Sequence, residues 1–412
     1  MRPQPVRFLS FAAATLVAAS VLAACGSGGG GTQSGSPIVI GASLSLTGAF
    51  SSDGQAFQRG YQLWQSDVNG HGGILGRQVK LIILNDNSDP GKVTANYQKL
   101  ITVDHVDLTF GPFSTLLTAP ASVAVHRYGY AMVEGAGGGE LVFQPKLNSV
   151  FDVSLPVASE LAPLVAWIKS LPPSERPKTA AYPMAEDPFA IPPVQTAQKA
   201  LQAIGIRTVY SKTFTEKVSA YRAPAEQVAT SGAQIVVLGS TDVPTVSTFM
   251  QAFEQQHYQP QIFIATSGPD QGIAFLGTVG LGNATGVMVP NGWYGSYSNP
   301  LSYAMVEEYI ARYGGTASDI NADVAEAYSV GQVVDQAVTH NRSLSNAKLI
   351  AYLHSGVTLQ SVQGPVKFTA LGQNLQPAAF VFQWQNGAFN QVLPGGAAGS
   401  AGIIFPKPHW NS

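Results

Sequence analysis

The sequence predicts an α/β fold with two doubly wound parallel sheets, one in each of two lobes. Short apolar segments alternate with longer amphipathic segments, a pattern typical of parallel β-α-β units. The alternation restarts after Pro156, so it falls into two sets of similar length. A chain of 412 residues also exceeds what one hydrophobic core commonly serves. The sequence therefore predicts two lobes of the same construction.

The first set begins with a buried strand at Ile38–Ala42. A helix follows, because Phe57, Tyr61, Trp64 and Val68 recur on one helical face. The next predicted elements are a strand at Val79–Leu84, a helix that Asp89 caps and Pro90 begins, a strand at Val106–Phe110, a helix at about Thr118–Tyr128 and a strand at Tyr130–Val133.

The second set begins with a helix whose apolar positions are Leu161, Leu164, Val165 and Ile168. Further predicted elements are the strands Thr179–Tyr182, Arg207–Tyr210, Gln234–Leu238 and Gln261–Ala265, with a helix around Val194–Ile204. At the C-terminus, Gly395–Gly402 is expected to be loose and Phe405–Trp410 to run along the surface.

The N-terminus predicts a secretory signal at residues 1–24. Arg2 and Arg7 give it a positive start, and an apolar stretch ends in Leu22-Ala23-Ala24-Cys25. This ending resembles the bacterial lipobox, in which the cysteine becomes the lipidated first residue. Residues 25–36, rich in Gly and Ser, would be a flexible linker from that anchor. The alternative is an ordinary signal peptide with an incidental cysteine.

Composition excludes several classes of function. Loss of the signal would remove Arg2 and Arg7 from the 22 basic residues, leaving 20 against 24 acidic residues, a net charge of −4. So weak a charge argues against a nucleic-acid partner. The seven histidines lack metal-ligand spacing, so no metal is predicted. No dinucleotide fingerprint, Walker loop, nucleophile elbow or zinc-protease motif occurs, so neither a cofactor nor enzymatic activity is expected.

One series of short motifs is specific when taken in order. Ile40–Gly48 is followed by Gly54 and Gly60, then by the turn Asn69-Gly70-His71-Gly72-Gly73-Ile74-Leu75-Gly76 and by Asn85–Pro90. The series resembles the branched-chain amino-acid (Leu/Ile/Val) receptors of ABC transporters. That resemblance implies the type I periplasmic binding fold, whose two lobes are joined by three crossing strands. The lobes would comprise residues 37–152 with 288–376, and 153–287 with 377–412.

In the first lobe, two loops follow strands and could meet a ligand. Ser114 and Thr115 lie beside a helix N-terminus, a natural seat for a carboxylate. The resemblance implies that a hydroxyl at Thr115, or at Ser114 one residue away, holds the ligand carboxylate; the alternative is that both only cap the helix. It also implies backbone contacts at Ala136. Gly138 replaces a family threonine, and Glu134 either faces the cleft or caps a turn.

In the second lobe, the resemblance assigns the ligand's ammonium group to Asp270, with a solvated loop aspartate as the alternative. Asp53, Phe189 and Thr241 stand where the family's cleft has tyrosines, so the pocket should be more polar. This departure places leucine, isoleucine and valine in doubt as ligands.

The resemblance therefore implies a lipid-anchored, extracytoplasmic substrate-binding protein of an ABC importer. Its partners would be an amino acid or a related small amide or carboxylate, the permease subunits, and the membrane through Cys25. A ligand-sensing receptor with a signalling partner is the first alternative. A secreted hydrolase is the second.

Overall fold

The structure is a computed structural model that describes residues 35–295, 299–375, 378–396 and 399–410. The predicted signal peptide, Cys25 and nearly all of the predicted linker lie outside the described residues. Among the helices that are described, none combines the length and the apolar composition needed to cross a membrane.

The strands alternate with helices through most of the chain. The strands are β1 (Ile38–Leu44), β2 (Val79–Asn85), β3 (Leu108–Phe110), β4 (Met132–Glu134), β5 (Val150–Asp152), β6 (Thr179–Ala185), β7 (Arg207–Phe214), β8 (Ile235–Leu238), β9 (Ile262–Ala265), β10 (Val287–Asn291), β11 (Leu359–Ser361), β12 (Gly364–Val366), β13 (Phe380–Gln385) and β14 (Ala388–Leu393). The helices are α1 (Ser51–Gly70), α2 (Pro90–Thr102), α3 (Thr115–Arg127), α4 (Glu140–Phe143), α5 (Ala162–Ser170), α6 (Ile191–Ala203), α7 (Arg222–Ser231), α8 (Val243–Gln255), α9 (Ile273–Val279), α10 (Leu281–Ala284), α11 (Pro300–Tyr313), α12 (Ala322–Asn341) and α13 (Asn346–Leu353).

The first sheet has five strands in the order β2-β1-β3-β4-β5, and all of its pairs are parallel. The second sheet has the order β14-β13-β10-β9-β8-β6-β7. Its pairs from β7 to β10 are parallel, as predicted. β13 and β14 add an antiparallel edge, which the sequence analysis did not anticipate. β11 and β12 form a separate antiparallel hairpin.

Helix α1 shows why the first sheet folds as the sequence indicates. Phe57, Tyr61, Trp64 and Val68 are all buried in one core cluster against the sheet. Asp89 caps α2, since its carboxylate accepts a hydrogen bond from the Lys92 backbone N–H at 2.7 Å. These two features confirm the periodicity and capping predictions.

Helices α1 and α12 approach each other unusually closely. A Cβ atom on Gly60 would lie 2.4 Å from the Val324 carbonyl oxygen, and one on Gly331 would lie 2.1 Å from the Trp64 ring. No real Cβ atom tolerates such contacts, so both glycines are required by close packing rather than by backbone flexibility. The pair forms one packed layer on the first sheet.

One prediction needs correction, and one gains detail. Helix α3 begins at Thr115 rather than near Thr118, because the Ser114 hydroxyl accepts the Leu117 N–H and caps the helix earlier. Pro120 therefore lies inside the helix. At the C-terminus, Lys407 is buried and the Trp410 indole donates to the Tyr258 carbonyl oxygen at 2.7 Å. Five of the six residues from Phe405 to Trp410 are partly or fully exposed, so this tail runs along the surface as predicted and is anchored there by these contacts.

Candidate functional site

A cavity opens where the carboxyl ends of strands from both sheets face each other. It encloses about 800 Å³ of space between atoms, its open mouth included. Ligands of parallel α/β sheets bind at this edge of the strands. The lining residues are Phe50, Asp53, Phe113, Ser114, Gly135, Ala136, Gly138, Ser154, Leu155, Val157, Glu160, Asp187, Phe189, Thr241, Thr266, Ser267, Asp270, Pro290, Asn291, Gly292, Asp323 and Glu326. Seven of the eight residues predicted for ligand binding lie in this set.

The exception is Thr115. It is fully buried, and its hydroxyl accepts a hydrogen bond from the Gly139 backbone N–H at 3.1 Å. Ser114 lines the cavity and also caps α3, so the two alternatives left open for it are compatible. Of the two hydroxyls, Ser114 is therefore the one placed to meet a ligand.

The glycine loop after β4 brings main chain to the cavity wall at Ala136 and Gly138. A Cβ atom on Gly138 would lie 2.9 Å from the Leu155 carbonyl oxygen, so a threonine would not fit here without movement of backbone. Glu134 does not line the cavity. Its Oε2 accepts hydrogen bonds from the N–H groups of Ala136 (3.0 Å) and Gly137 (2.5 Å), which fixes the turn.

Asp270 lies on the opposite wall, in the loop after β9. Its Oδ1 accepts the Gly268 backbone N–H at 2.8 Å, which orients the carboxyl group. Burial raises the pKa of Asp270 to about 6. A cationic group bound beside Asp270 would favour the ionised carboxylate and reverse this effect.

Asp53, in the first turn of α1, lies within reach of that wall. The Gln271 side-chain amide donates to both Asp53 oxygens at 3.2 Å. Burial, and next the neighbouring Asp270 carboxylate, raise the pKa of Asp53 to about 7. Asp53 also shares a hydrogen bond with the carboxyl group of Asp323.

The remaining predicted residues complete the walls. Phe189 is half-buried and lines the cavity, as does an aromatic pair formed by Phe50 and Phe113, whose ring centroids are 5.8 Å apart. Thr241 donates its hydroxyl to Glu216, and burial raises the pKa of Glu216 to about 7. The cavity thus combines apolar surface with polar groups, as small-molecule sites do.

Four acidic residues of the cavity were not predicted from the sequence: Glu160, Asp187, Asp323 and Glu326. Burial raises the pKa of Glu160, Asp323 and Glu326 well above the ordinary value, and nearby carboxylates add to the effect. Asp323 and Glu326 lie three residues apart at the start of α12, among buried apolar neighbours. The sequence signal that could have found Asp323 and Glu326 is the presence of two acidic residues on a helix face that is otherwise apolar.

The basic side chain closest in sequence to this site, Arg59, faces elsewhere. Arg59 lines a second, wider groove on the far side of Gln271, where its guanidinium donates to the Tyr309 hydroxyl at 3.0 Å. The two openings share Asp270 and Asn291. Among the described residues, no group of three His, Cys, Asp or Glu side chains is arranged to hold a metal ion.

Comparison with known proteins agrees with this architecture. The sequence profile of the periplasmic binding protein family matches residues 37–388. An amino acid binding protein of Pseudomonas aeruginosa is 23% identical, over 86% of this chain and 92% of its own length. The isoleucine complex of LivJ, a branched-chain amino acid transporter substrate binding protein from Streptococcus pneumoniae, superposes with a TM-score of 0.74 at 16% identity, over 86% of this chain and 97% of LivJ. A benzoate complex of an R. palustris ABC transporter solute binding protein gives 0.72 at 17% identity, over 90% and 98%.

The chain belongs to the periplasmic binding protein family. Its fold is the type I periplasmic binding fold, which confirms the predicted fold class. Proteins of this family bind solutes outside the cytoplasm and do not transform them, so this chain is an extracytoplasmic solute-binding protein and not an enzyme.

Proposed function

We propose that the protein is the lipid-anchored substrate-binding protein of an ABC importer that captures an amino acid or a related small amide or carboxylate. The observation that carries the proposal is the position of the cavity. Ser114 and Ala136 reach it from the carboxyl ends of strands in the first sheet, and Asp270 reaches it from the second. A single small solute would therefore contact both halves.

Two lobes would close on that solute as rigid bodies. We assign residues 37–152 and 288–376 to one lobe and 153–287 and 377–412 to the other, with crossings near Val150–Pro156, Gly286–Pro290 and Leu375–Phe382. β10 (Val287–Asn291) pairs with β9 and β13 of the second sheet. We therefore move the second crossing from Gly286–Pro290 to the end of β10, so that the first lobe's second segment begins after Asn291 rather than at residue 288. A ligand shifts such a hinge towards the closed state only to the extent that it binds the closed state more tightly than the open one.

The polar groups suit a solute with an acidic and a basic end. The Ser114 hydroxyl and the N-terminus of α3 would receive a carboxylate. Asp270 would receive an ammonium group in a charge-assisted hydrogen bond. Relatives support this class: one is named for amino acid binding, and two similar structures hold isoleucine and benzoate, which share a carboxylate.

The N-terminus supports the cellular setting. Leu22-Ala23-Ala24-Cys25 would be processed so that lipidated Cys25 tethers the protein to the outer face of the cytoplasmic membrane. A single acyl chain binds membranes reversibly, whereas a multiply acylated cysteine anchors stably. Held there, the protein would deliver its solute to permease subunits in the same membrane.

The test is a thermal-shift screen of the purified protein against amino acids, amides, urea, polyamines and aromatic acids, with calorimetry on each compound that stabilises it. Binding of an α-amino acid would support a pocket with carboxylate and ammonium sites. No response to any amino acid, amide or carboxylate would contradict the proposed ligand class. Uptake of the solute in cells that lack the protein should fall, and unchanged uptake would contradict the transport role.

A further inference from the structure

We propose that the cavity binds a solute with two cationic groups, one beside Asp270 and the other between Glu160 and Glu326. This inference rests on the proposed function and specifies its substrate class. The second cationic position is formed by groups that the first does not use.

The charged groups of the cavity wall are all acidic. Six carboxyl groups line the cavity: Asp53, Glu160, Asp187, Asp270, Asp323 and Glu326. Among the described lining residues there is no lysine, arginine or histidine. Charged groups removed from water need a partner of opposite sign, and here the protein supplies none.

Backbone donors satisfy only part of this set. Asp187 accepts the N–H groups of Phe189 (2.7 Å) and Ala190 (3.2 Å), and Asp270 accepts that of Gly268. In the described part of the chain, no backbone N–H donates to the carboxyl groups of Asp53, Glu160, Asp323 or Glu326. Asp53 is bonded to the Gln271 amide, and Asp323 shares hydrogen bonds with Asp53 and Glu326. Among these four described groups, Glu160 is therefore the one with a buried oxygen that has no partner.

Glu160 gives the clearest sign of a missing partner. It follows β5 at the end of a short 3-10 turn, and its side chain is only 8% exposed. Its Oε2 atom is buried and has no hydrogen-bond partner within the described structure. The groups that act on it most strongly are Glu326, Asp270 and Asp152, all of them acidic. A cation at this point would relieve both the repulsion and the missing hydrogen bond.

The acids form two groups along the wall. Asp53 and Asp323 share a hydrogen bond and lie close to Asp270. Glu326, which is bonded to Asp323, continues the row towards Glu160. A solute with one ammonium group would neutralise the Asp270 end and leave the Glu160 end unpaired. A solute with a second cationic group would complete both.

Two ligand types carry this chemistry, and a matched pair of compounds separates them. A basic amino acid adds a carboxylate that Ser114 could receive, whereas a diamine does not. Isothermal calorimetry should compare L-lysine with L-norleucine, which lacks only the terminal amine, and 1,5-diaminopentane with 1-aminopentane. We expect the dicationic member of at least one pair to bind at least tenfold more tightly than its monoamine.

The outcomes distinguish this inference from the proposed function. If norleucine binds as tightly as lysine, the second cationic site is wrong and the proposed function stands. If only benzoate or a neutral amide binds, the two cationic positions are overturned, whereas the proposed function stands for a small amide or carboxylate. If the protein binds Ca²⁺ or Mg²⁺ and no amine, or none of these compounds, the inference is overturned.

Charge-neutral variants locate the second site. Glu160→Gln and Glu326→Gln should each lower the affinity for the dicationic compound at least tenfold and change that for its monoamine less than twofold. Glu140→Gln, on an exposed glutamate of α4, is the matched control and should leave both unchanged. Equal losses for both compounds would indicate a structural role and contradict the inference. Should Glu326→Gln fail to fold, Glu160→Gln decides alone, because Gln keeps the shape of Glu and removes a buried charge.

Discussion

The side-chain amide of Gln271 donates to both carboxylate oxygens of Asp53, at 3.2 Å each, although the two residues are 218 positions apart. Asp53 belongs to the first turn of α1, which packs on the first sheet, and Gln271 follows β9 of the second. The contact therefore links elements of the two sheets beside the cavity.

Gln271→Ala should weaken ligand binding about two- to tenfold, the usual worth of one hydrogen bond. Because the contact joins the proposed lobes in their closed arrangement, most of the loss should appear as faster dissociation. Stopped-flow or surface plasmon measurements would separate the two rates. Gln98→Ala, on an exposed position of α2, is the control. A variant with unchanged dissociation would show that this contact does not hold the closed state.

Asp270→Asn should weaken the binding of amine-bearing ligands by about ten- to a hundredfold, since a charge-assisted hydrogen bond contributes about 1.5–3 kcal/mol. Asparagine keeps the oxygen that accepts the Gly268 N–H, so the loop should retain its shape. Calorimetry against an amine and against a carboxylate without an amine would check this. If the variant binds the amine as tightly as the parent protein does, Asp270 does not bind the ligand's amine.

The ligand-free protein should be less stable at pH 8 than at pH 5. Asp53 and Asp270 have pKa values raised to about 7 and about 6, whereas an unfolded aspartate ionises near 3.9. Between about pH 4 and 7 the folded state thus binds more protons, and stability falls as pH rises through that window. Thermal unfolding followed by circular dichroism should show a decrease of several degrees. Asp53→Asn should reduce the decrease, and a flat profile in the parent protein would contradict the assignment.

Gly138→Thr, which restores the family's residue type, should destabilise the protein by about 1–3 kcal/mol, a typical cost of overpacking. The new Cβ atom would meet the Leu155 carbonyl oxygen at 2.9 Å. Gly277→Ala in α9 is the contrasting change, because its Cβ atom would meet open space. Urea unfolding of both variants provides the measurement. An unchanged free energy of unfolding for Gly138→Thr would mean that the backbone around Leu155 moves at little energetic cost.

Cys25→Ala should move the protein from the membrane fraction to the soluble fraction of its cells, since the substitution removes the acceptor for the lipid. Fractionation with immunoblotting is sufficient. Continued retention in the membrane fraction would contradict lipid anchoring.

Local patterns were the most predictable part of this molecule. The stripe from Phe57 to Val68 and the cap at Asp89 depend on neighbours within a few turns, and both were foreseen. The predicted start of α3 near Thr118 was wrong, because the Ser114 cap sets the first turn at Thr115. Asp270 was placed in the cavity through the family motif around it rather than from its own chemistry.

The acidic wall could not be predicted in the same way. Glu160 follows β5, whereas Asp323 and Glu326 lie on α12, far away in sequence, and an acidic residue is ordinarily solvent-exposed. Only the assembled fold shows that the three face one space whose described lining includes no lysine, arginine or histidine. Residues that only tertiary packing brings together have no local sequence pattern, so this part of the site could be identified only from the structure.

The close packing of α1 on α12 through Gly60 and Gly331 has a consequence for affinity. Asp53 and Asp323 stand at the first turns of these two helices, so their carboxyl groups are held in place before any solute arrives. Ordering side chains on binding usually consumes part of the interaction energy. Here that entropy was already lost when the helices folded together, so this wall of the cavity is preorganised.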